Sequence, residues 1–423
     1  MEYVPRLVDK QLRRLLADVP AVAVDGPRAV GKSSTAAQFA QSVINLDQPD
    51  ERELTSADRA RLTRLPSPVL IDEWQLLPPV WDQVRRAVDA GAAAGSFILA
   101  GSSSPVQRPT HSGAGRIVRL RMRPMSLAER QLVAPSVSLA ALLTGTRGNV
   151  TDESPITLEQ YANEITMTGF PGIRKVPERS RRDVIDGYLA SIVDRDFAEA
   201  GSPVRRPSAL RAWLRSYASA TSSNASYTRI LDVATPGEGE KPAKATTIAY
   251  RDTLQRMWLV DELPAWAGHT HLTGLTGAPK HHLADPGLAA RLLGVNASGL
   301  LDETNPDRSS MPRVGTLVGA LFESLATLCV RVYAQACNST VSHLRTANGA
   351  HEIDLIVESD DGRVLPIEVK LAGTVNDDDV KHLHWLRRRL GSEVLDAVVI
   401  TTGKAAYRRG DGVAVVPLAL LGP

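Results

Sequence analysis

Residues Gly26-Pro27-Arg28-Ala29-Val30-Gly31-Lys32-Ser33 follow the spacing G-x-x-x-x-G-K-S. A loop of this kind turns its backbone amides toward a chain of phosphate oxygens. Lys32 would reach the β- and γ-phosphates, and the Ser33 hydroxyl would ligate Mg²⁺. The cradle continues through Ser34. This chemistry needs a strand before the loop and a helix after it. Val22-Ala23-Val24 reads as a buried strand, and the run from Ser34 to Ala40 reads as a helix. ATP with Mg²⁺ is therefore the expected ligand.

Val69-Leu70-Ile71 runs into Asp72-Glu73. Acids at the C-terminal end of a parallel strand stand where ligands bind in α/β sheets. Asp72 would hold Mg²⁺ through its water shell, and Glu73 would polarise the attacking water, which alone is a poor nucleophile. The plain alternative is a helix N-cap. A further strand, Ser96–Ala100, leads to Gly101-Ser102-Ser103-Ser104. Ser102 and Ser103 are candidates to touch the γ-phosphate or the water, against an ordinary serine-rich turn. Arg116 begins an alternating strand that also carries Arg119, Arg121 and Arg123. Arg116 is the candidate arginine finger, in cis or from a neighbouring copy in a homo-oligomer. The other three read as a solvated strand face.

A second group of reactive types lies near the C-terminus. His351-Glu352-Ile353-Asp354 enters one strand, and Ile367-Glu368-Val369-Lys370 forms another after the turn Asp360-Asp361-Gly362. Glu368 and Lys370 share a face because side chains alternate along a strand. A hairpin can bring Asp354 beside them. Asp354 and Glu368 could then hold Mg²⁺, with Lys370 orienting water or stabilising developing charge. The alternative is a surface hairpin with a Glu–Lys pair. Lys381, His382, His384 and Arg387-Arg388-Arg389 follow on a helical pattern that could face nucleic acid.

At 423 residues the chain exceeds one typical core. The expected architecture is α/β. A parallel-sheet nucleotide unit spans 1–130, a Ser/Thr/Gly-rich linker 131–155, a helical region 156–300, and a second α/β unit 301–423. Within the helical region, Asn224 to Val260 offers two helices around an interruption, the outline of a winged-helix module that enters DNA. Arg229, Lys241, Lys244, Arg251 and Arg256 supply its positive charge, and a packing-only helical unit is the alternative. His269, His271, His281 and His282 fit no structural zinc spacing and read as surface or outer-sphere residues. With 49 basic and 47 acidic side chains, net charge points to neither nucleic acid nor membrane. Two cysteines fit a reducing compartment. No signal-peptide pattern or bilayer-length apolar run is evident, so a cytoplasmic protein without membrane contact is expected.

The first 130 residues resemble bacterial and archaeal AAA+-like P-loop ATPases of the AAA_14 type. The motifs are the phosphate loop, Leu46-Asp47, Asp72-Glu73-Trp74-Gln75, Leu99-Ala100-Gly101-Ser102 and Arg123–Glu129. Trp74 and Ala100 depart from the aliphatic residue and Thr usual there. Glu323, Asp354 and Glu368-x-Lys370 resemble the PD-(D/E)xK nuclease core. With Gly169-Phe170-Pro171 and the Pro279–Leu288 segment, the whole chain resembles prokaryotic ATPases that carry a C-terminal DUF4143 domain. The resemblance implies an Mg²⁺-dependent ATPase joined to a nuclease-like, DNA-directed unit. A non-cleaving, nucleotide-switched regulator stays open as the alternative, such as a toxin–antitoxin or defence component acting through a protein partner or DNA.

Overall fold

The protein, seen here as a computed structural model, is described over residues 3–102, 113–234, 244–268, 277–302, 314–347 and 349–423. Helix α1 (Val8–Asp18) leads into a sheet of β1 (Ala21–Asp25), β2 (Ser42–Asn45), β3 (Val69–Asp72), β4 (Phe97–Gly101) and β5 (Val118–Arg121). Its order is β2-β3-β4-β1-β5, and every pairing is parallel. Strands β1 and β4 are buried along their whole length. That explains their unbroken apolar runs, since a central parallel strand is covered on both faces. The register sets Asp25 beside Gly101 and Asp72 beside Ala100. The segments that leave β1, β3 and β4 therefore emerge side by side. Helix α2 (Lys32–Ala37) follows the phosphate loop and is shorter than expected. Gln38 and Phe39 donate to carbonyls three residues back, which tightens the last turn. Helix α3 (Pro79–Asp89) covers the sheet through Val80, Trp81 and Val84.

The middle of the chain is helical. Helix α4 (Glu178–Ser191) runs directly into a π-helical turn, Ile192–Asp196. Helices α5 (Pro207–Ser219), α6 (Tyr227–Ala234) and α7 (Lys244–Arg256) contribute Trp213, Tyr217, Ile230 and Leu254 to the largest core cluster. Helix α8 (Pro286–Leu292) is capped by Asp285, which accepts from the Gly287 amide at 2.7 Å. The other Asp285 oxygen accepts from the Gly169 amide at 2.7 Å. Two motifs more than a hundred residues apart, Gly169-Phe170-Pro171 and Pro279–Leu288, thus meet at one carboxylate. His281 and His282 are buried, so of the two expected readings the surface one does not hold for them. His281 packs edge-on to Tyr217 and Tyr227. His269, His271, Lys241 and Ser103 lie outside the described residues.

The stretch 131–155 is more than a connector. It supplies β6 (Val137–Ser138) and β7 (Asp152–Glu153), which join the C-terminal sheets. Helix α9 (Val314–Ala336) precedes β8 (Thr340–Arg345), β9 (Glu352–Glu358) and β10 (Val364–Lys370), an antiparallel meander. Helix α10 (Asp377–Leu390) then crosses to β11 (Val398–Thr401), parallel to β10. Strands β12 (Ala405–Arg408) and β13 (Ala414–Pro417) extend the sheet, and β14 (Leu421–Gly422) pairs with β6. Within α9, Leu317–Ala336 is long and apolar enough to cross a bilayer by composition, contrary to expectation, but most of it is buried inside the fold. Its apolar surface is covered by protein, with Leu321, Phe322, Leu325 and Cys329 in the core.

Arg121 and Arg123 are not a solvated face. Arg123 Nε donates to Asp261 Oδ2 at 2.8 Å, and Arg121 Nη2 lies 3.4 Å from Oδ1. Arg331 of α9 lies 3.1 Å from the same carboxylate and donates to the Asp261 carbonyl at 2.7 Å. Arg121 also stacks over Trp258, 4.0 Å from its ring centre. Burial alone would raise the Asp261 carboxyl, but Arg123, Arg331 and Arg121 outweigh it and hold it well below the usual range. Asp261→Ala would leave three guanidinium groups facing one another without their counter-ion. We expect a loss of about 3–5 kcal/mol in urea unfolding. In the wild type, this contribution is complete above the ordinary aspartate pKa and disappears as pH falls through the depressed folded value. A variant as stable as the wild type would remove Asp261 from this role.

Candidate nucleotide site and acid cluster

The phosphate loop is shaped by close approach. A Cβ on Gly26 would collide with the Met122 carbonyl oxygen, so only glycine lets the loop pass the end of β5. Gly31 has φ 107°, a conformation that other residues adopt only under strain. Lys32 is buried, and its Nζ donates to the carbonyls of Gly26 and Pro27, each at 2.9 Å. Burial lowers its pKa to about 8, although Glu73, Asp72 and Asp25 oppose the shift. The Ser33 hydroxyl donates to Asp72 Oδ1 at 2.9 Å. Burial raises Asp72, with the Ser33 bond acting against it.

Glu73 holds φ 51° and ψ 42°, a left-handed conformation uncommon outside glycine. Its Oε2 accepts from the Ser102 hydroxyl at 3.3 Å and from the Gln75 amide. Gly101 makes room for this arrangement: a Cβ there would stand 2.6 Å from Gln75 Oε1 and 2.7 Å from Trp74 Nε1. Trp74 is buried against Trp81, with ring centres 4.7 Å apart. Lys32, Ser33, Asp72, Glu73 and Ser102 are therefore brought together at the C-terminal ends of the sheet's inner strands.

Arg116 is not joined to them. Its guanidinium donates to Asp89 at 2.9 Å and to the Ala114 carbonyl, with no bond to the loop. Arg119 instead pairs with buried Asp25 at 2.7 Å, immediately before Gly26. Arg28 reaches out of the loop to Asp196, at the end of the π-helical turn, at 2.7 Å. The Tyr188 hydroxyl donates to the Arg28 carbonyl at 3.2 Å. Ala29 and Ser34 make no side-chain bond to these groups; they belong to the loop's backbone and its continuation. Arg6 supports the loop from behind, donating to the Val30 carbonyl at 3.0 Å and pairing with Glu129 at 2.9 Å. Arg6, Asp25 and Asp196 were not singled out from sequence. Only Asp25 carried a signal, its place next to Gly26.

The second cluster forms where α9, β9 and β10 meet. Glu368 Oε2 accepts from Lys370 Nζ at 2.9 Å, so the two do share a face. Asp354 Oδ2 accepts from the Val369 amide at 2.9 Å. Lys280, from the helical region, enters this cluster almost fully buried. Its Nζ lies 2.8 Å from Asp354, 2.9 Å from Glu323 and 3.3 Å from Glu352. Burial raises Glu323 to about 8. Burial also acts to raise Asp354, but Lys280 outweighs it and holds that carboxyl low. Burial and then Asp354 push Glu368 well up. Among the described residues, no group of three His, Cys, Asp or Glu side chains is arranged to hold a metal ion. On α10, His384 bonds Asp411 at 3.0 Å, His382 meets His351 at 3.2 Å, and Arg387 donates to the Asp411 carbonyl. Much of the polar face expected to meet nucleic acid is thus used internally.

Residues 18–131 match the AAA domain family. That match covers the unit that carries the phosphate loop and the five-stranded parallel sheet. Residues 158–299 match a domain of unknown function, DUF8612, and residues 318–421 another, DUF4143. An uncharacterized protein of Mycobacterium tuberculosis and one of Mycobacterium bovis are each 25% identical over 420 residues. Each alignment covers 96% of this chain and 82% of the relative. Among solved structures, a Walker-type ATPase of Pyrococcus abyssi aligns at 16% identity with a TM-score of 0.41, over 67% of this chain and 94% of that one.

Lys32 must be charged to meet phosphate. With its pKa in the free protein near 8, nucleoside triphosphate binding should take up protons at pH 8 and weaken as pH rises further. Calorimetry of ATP binding in buffers of different ionisation enthalpy checks this. Lys32→Ala should abolish the proton uptake and weaken binding; unchanged affinity would remove Lys32 from the phosphate site.

Proposed function

We propose that the protein is an Mg²⁺-dependent ATPase whose nucleotide state acts, through the helical region, on a nuclease-like unit directed at nucleic acid. The observation that carries the nucleotide half is the convergence of Lys32, Ser33, Asp72 and Glu73 from two parallel strands. Lys32 trades two neutral carbonyl partners for phosphate oxygens, a charge-assisted exchange that favours the bound state. Ser33 Oγ and Asp72 Oδ1 lie 2.9 Å apart and offer hard oxygen donors, which suits Mg²⁺. Bound there, Mg²⁺ would neutralise charge on the phosphates. Glu73 would accept a proton from water, with its carboxylate oriented by Ser102 and Gln75.

Arg28 ties the loop to Asp196. A phosphate in the loop would compete with Asp196 for this guanidinium, which gives the helical region a means to register occupancy. In the C-terminal unit, the order helical Glu323, strand Asp354, then Glu368-x-Lys370 before a crossover helix supports the nuclease-like reading. Asp354 and Glu323 are already bonded to Lys280, so the cluster as folded does not suit a divalent ion, and no cleavage step is derived through one. That same contact favours a second reading, a non-cleaving regulator that binds nucleic acid or a protein partner.

Glu73→Gln should bind ATP normally and hydrolyse it at least about a hundredfold more slowly; wild-type turnover would reject its role as base. Asp196→Ala should leave basal hydrolysis near wild type but reduce its stimulation by DNA. Equal stimulation in both proteins would count against the Arg28–Asp196 coupling.

A further inference from the structure

Lys280 reaches the acid cluster from outside the C-terminal unit. Its backbone pairs with Leu263, at 3.0 Å and 2.9 Å for the two hydrogen bonds, and the next amide, of His281, donates to the Ser223 carbonyl at 2.9 Å. The side chain is therefore delivered from a fixed backbone. Its ammonium touches one carboxylate on α9 and two on β9. The second acid of the nuclease-like signature, Glu368, is also buried, and it stands against both Lys370 and Asp354.

Resting on the nuclease-like reading, we propose that Lys280 is the built-in cation of this cluster. Its ammonium stands on Asp354 and Glu323 where a nuclease of this type would place a divalent ion. Mg²⁺ needs carboxylate oxygens at about 2.0–2.1 Å in near-octahedral geometry. Asp354 has one oxygen on Lys280 and the other on the Val369 amide, so both are already engaged and a metal would have to share the first with an ammonium. Two cations on one carboxylate oxygen would also repel at short range in a poorly screened setting. The cluster consequently locks the helical region to α9 and β9, and metal can enter only where Lys280 is withdrawn.

The test is Mn²⁺ binding without nucleotide, followed by the paramagnetic signal of free Mn²⁺, in the full chain. Lys280→Met keeps most of the buried stem and removes the charge. The wild type should show no site that Asp354→Asn abolishes. Lys280→Met should gain one such site, at least about tenfold tighter than any in the wild type, and Lys280→Met with Asp354→Asn should lose it. A wild-type site that depends on Asp354 would overturn the proposal, and so would a folded Lys280→Met that binds no Mn²⁺ there. Should Lys280→Met not fold, the comparison of wild type with Asp354→Asn still decides: equal Mn²⁺ stoichiometry supports Lys280 as the cation, and a loss of one site overturns it. A Lys280→Met protein that binds Mn²⁺ yet cleaves neither DNA nor RNA would leave Lys280 in place and count against the nuclease-like reading.

Discussion

Three guanidinium groups share the carboxylate of Asp261, and they come from parts of the chain that need not otherwise stay together. Arg121 ends the edge strand next to the phosphate-loop strand, in register with Asp25, and Arg123 follows it. Arg331 belongs to α9, the central helix of the C-terminal unit. Charges buried this deeply are expensive unless paired, so displacing any one of them exposes the others to an unfavourable site. The arrangement sets the relative position of sheet, helical region and α9 more tightly than apolar contact would.

The same constraint reaches both polar clusters. Glu323 lies eight residues before Arg331 on α9, just over two helical turns away. Leu263, two residues after Asp261, pairs with the backbone of Lys280. One buried carboxylate therefore stands between a strand that neighbours the phosphate loop and a lysine that fills the acid cluster.

The two clusters differ in how their lysines are satisfied. Lys32 rests on neutral carbonyls of its own loop, partners that an anion would replace with a gain in charge pairing. Lys280 rests on carboxylates and has nothing to gain from a further ligand. Burial consequently lowers the pKa of Lys32 toward the neutral range, whereas the surrounding acids overcome burial and raise that of Lys280. Similar side chains at similar depth become an open site in one case and a closed one in the other.

Local spacing made the candidate nucleotide site legible. Gly26 to Ser33 and Asp72-Glu73 each lie within a few residues of a strand end, and a parallel sheet brings such ends together by register alone. The Glu368–Lys370 pair was legible for a similar reason, because alternation along one strand places them on one face. Arg121 and Arg123 were misread because alternation shows that two faces differ, and only packing tells which face finds a partner. His281 and His282 were read from ligand spacing, which carries no information about depth. The chain by itself determined the strand–loop–helix chemistry and the order of acids in the C-terminal unit. Tertiary structure decided that Arg119 serves Asp25 while Arg116 turns to Asp89, that Asp196 meets the loop, and that Lys280 enters the acid cluster. Those contacts join residues that are dozens to more than a hundred positions apart, and long-range electrostatic pairing leaves no periodic trace in the sequence.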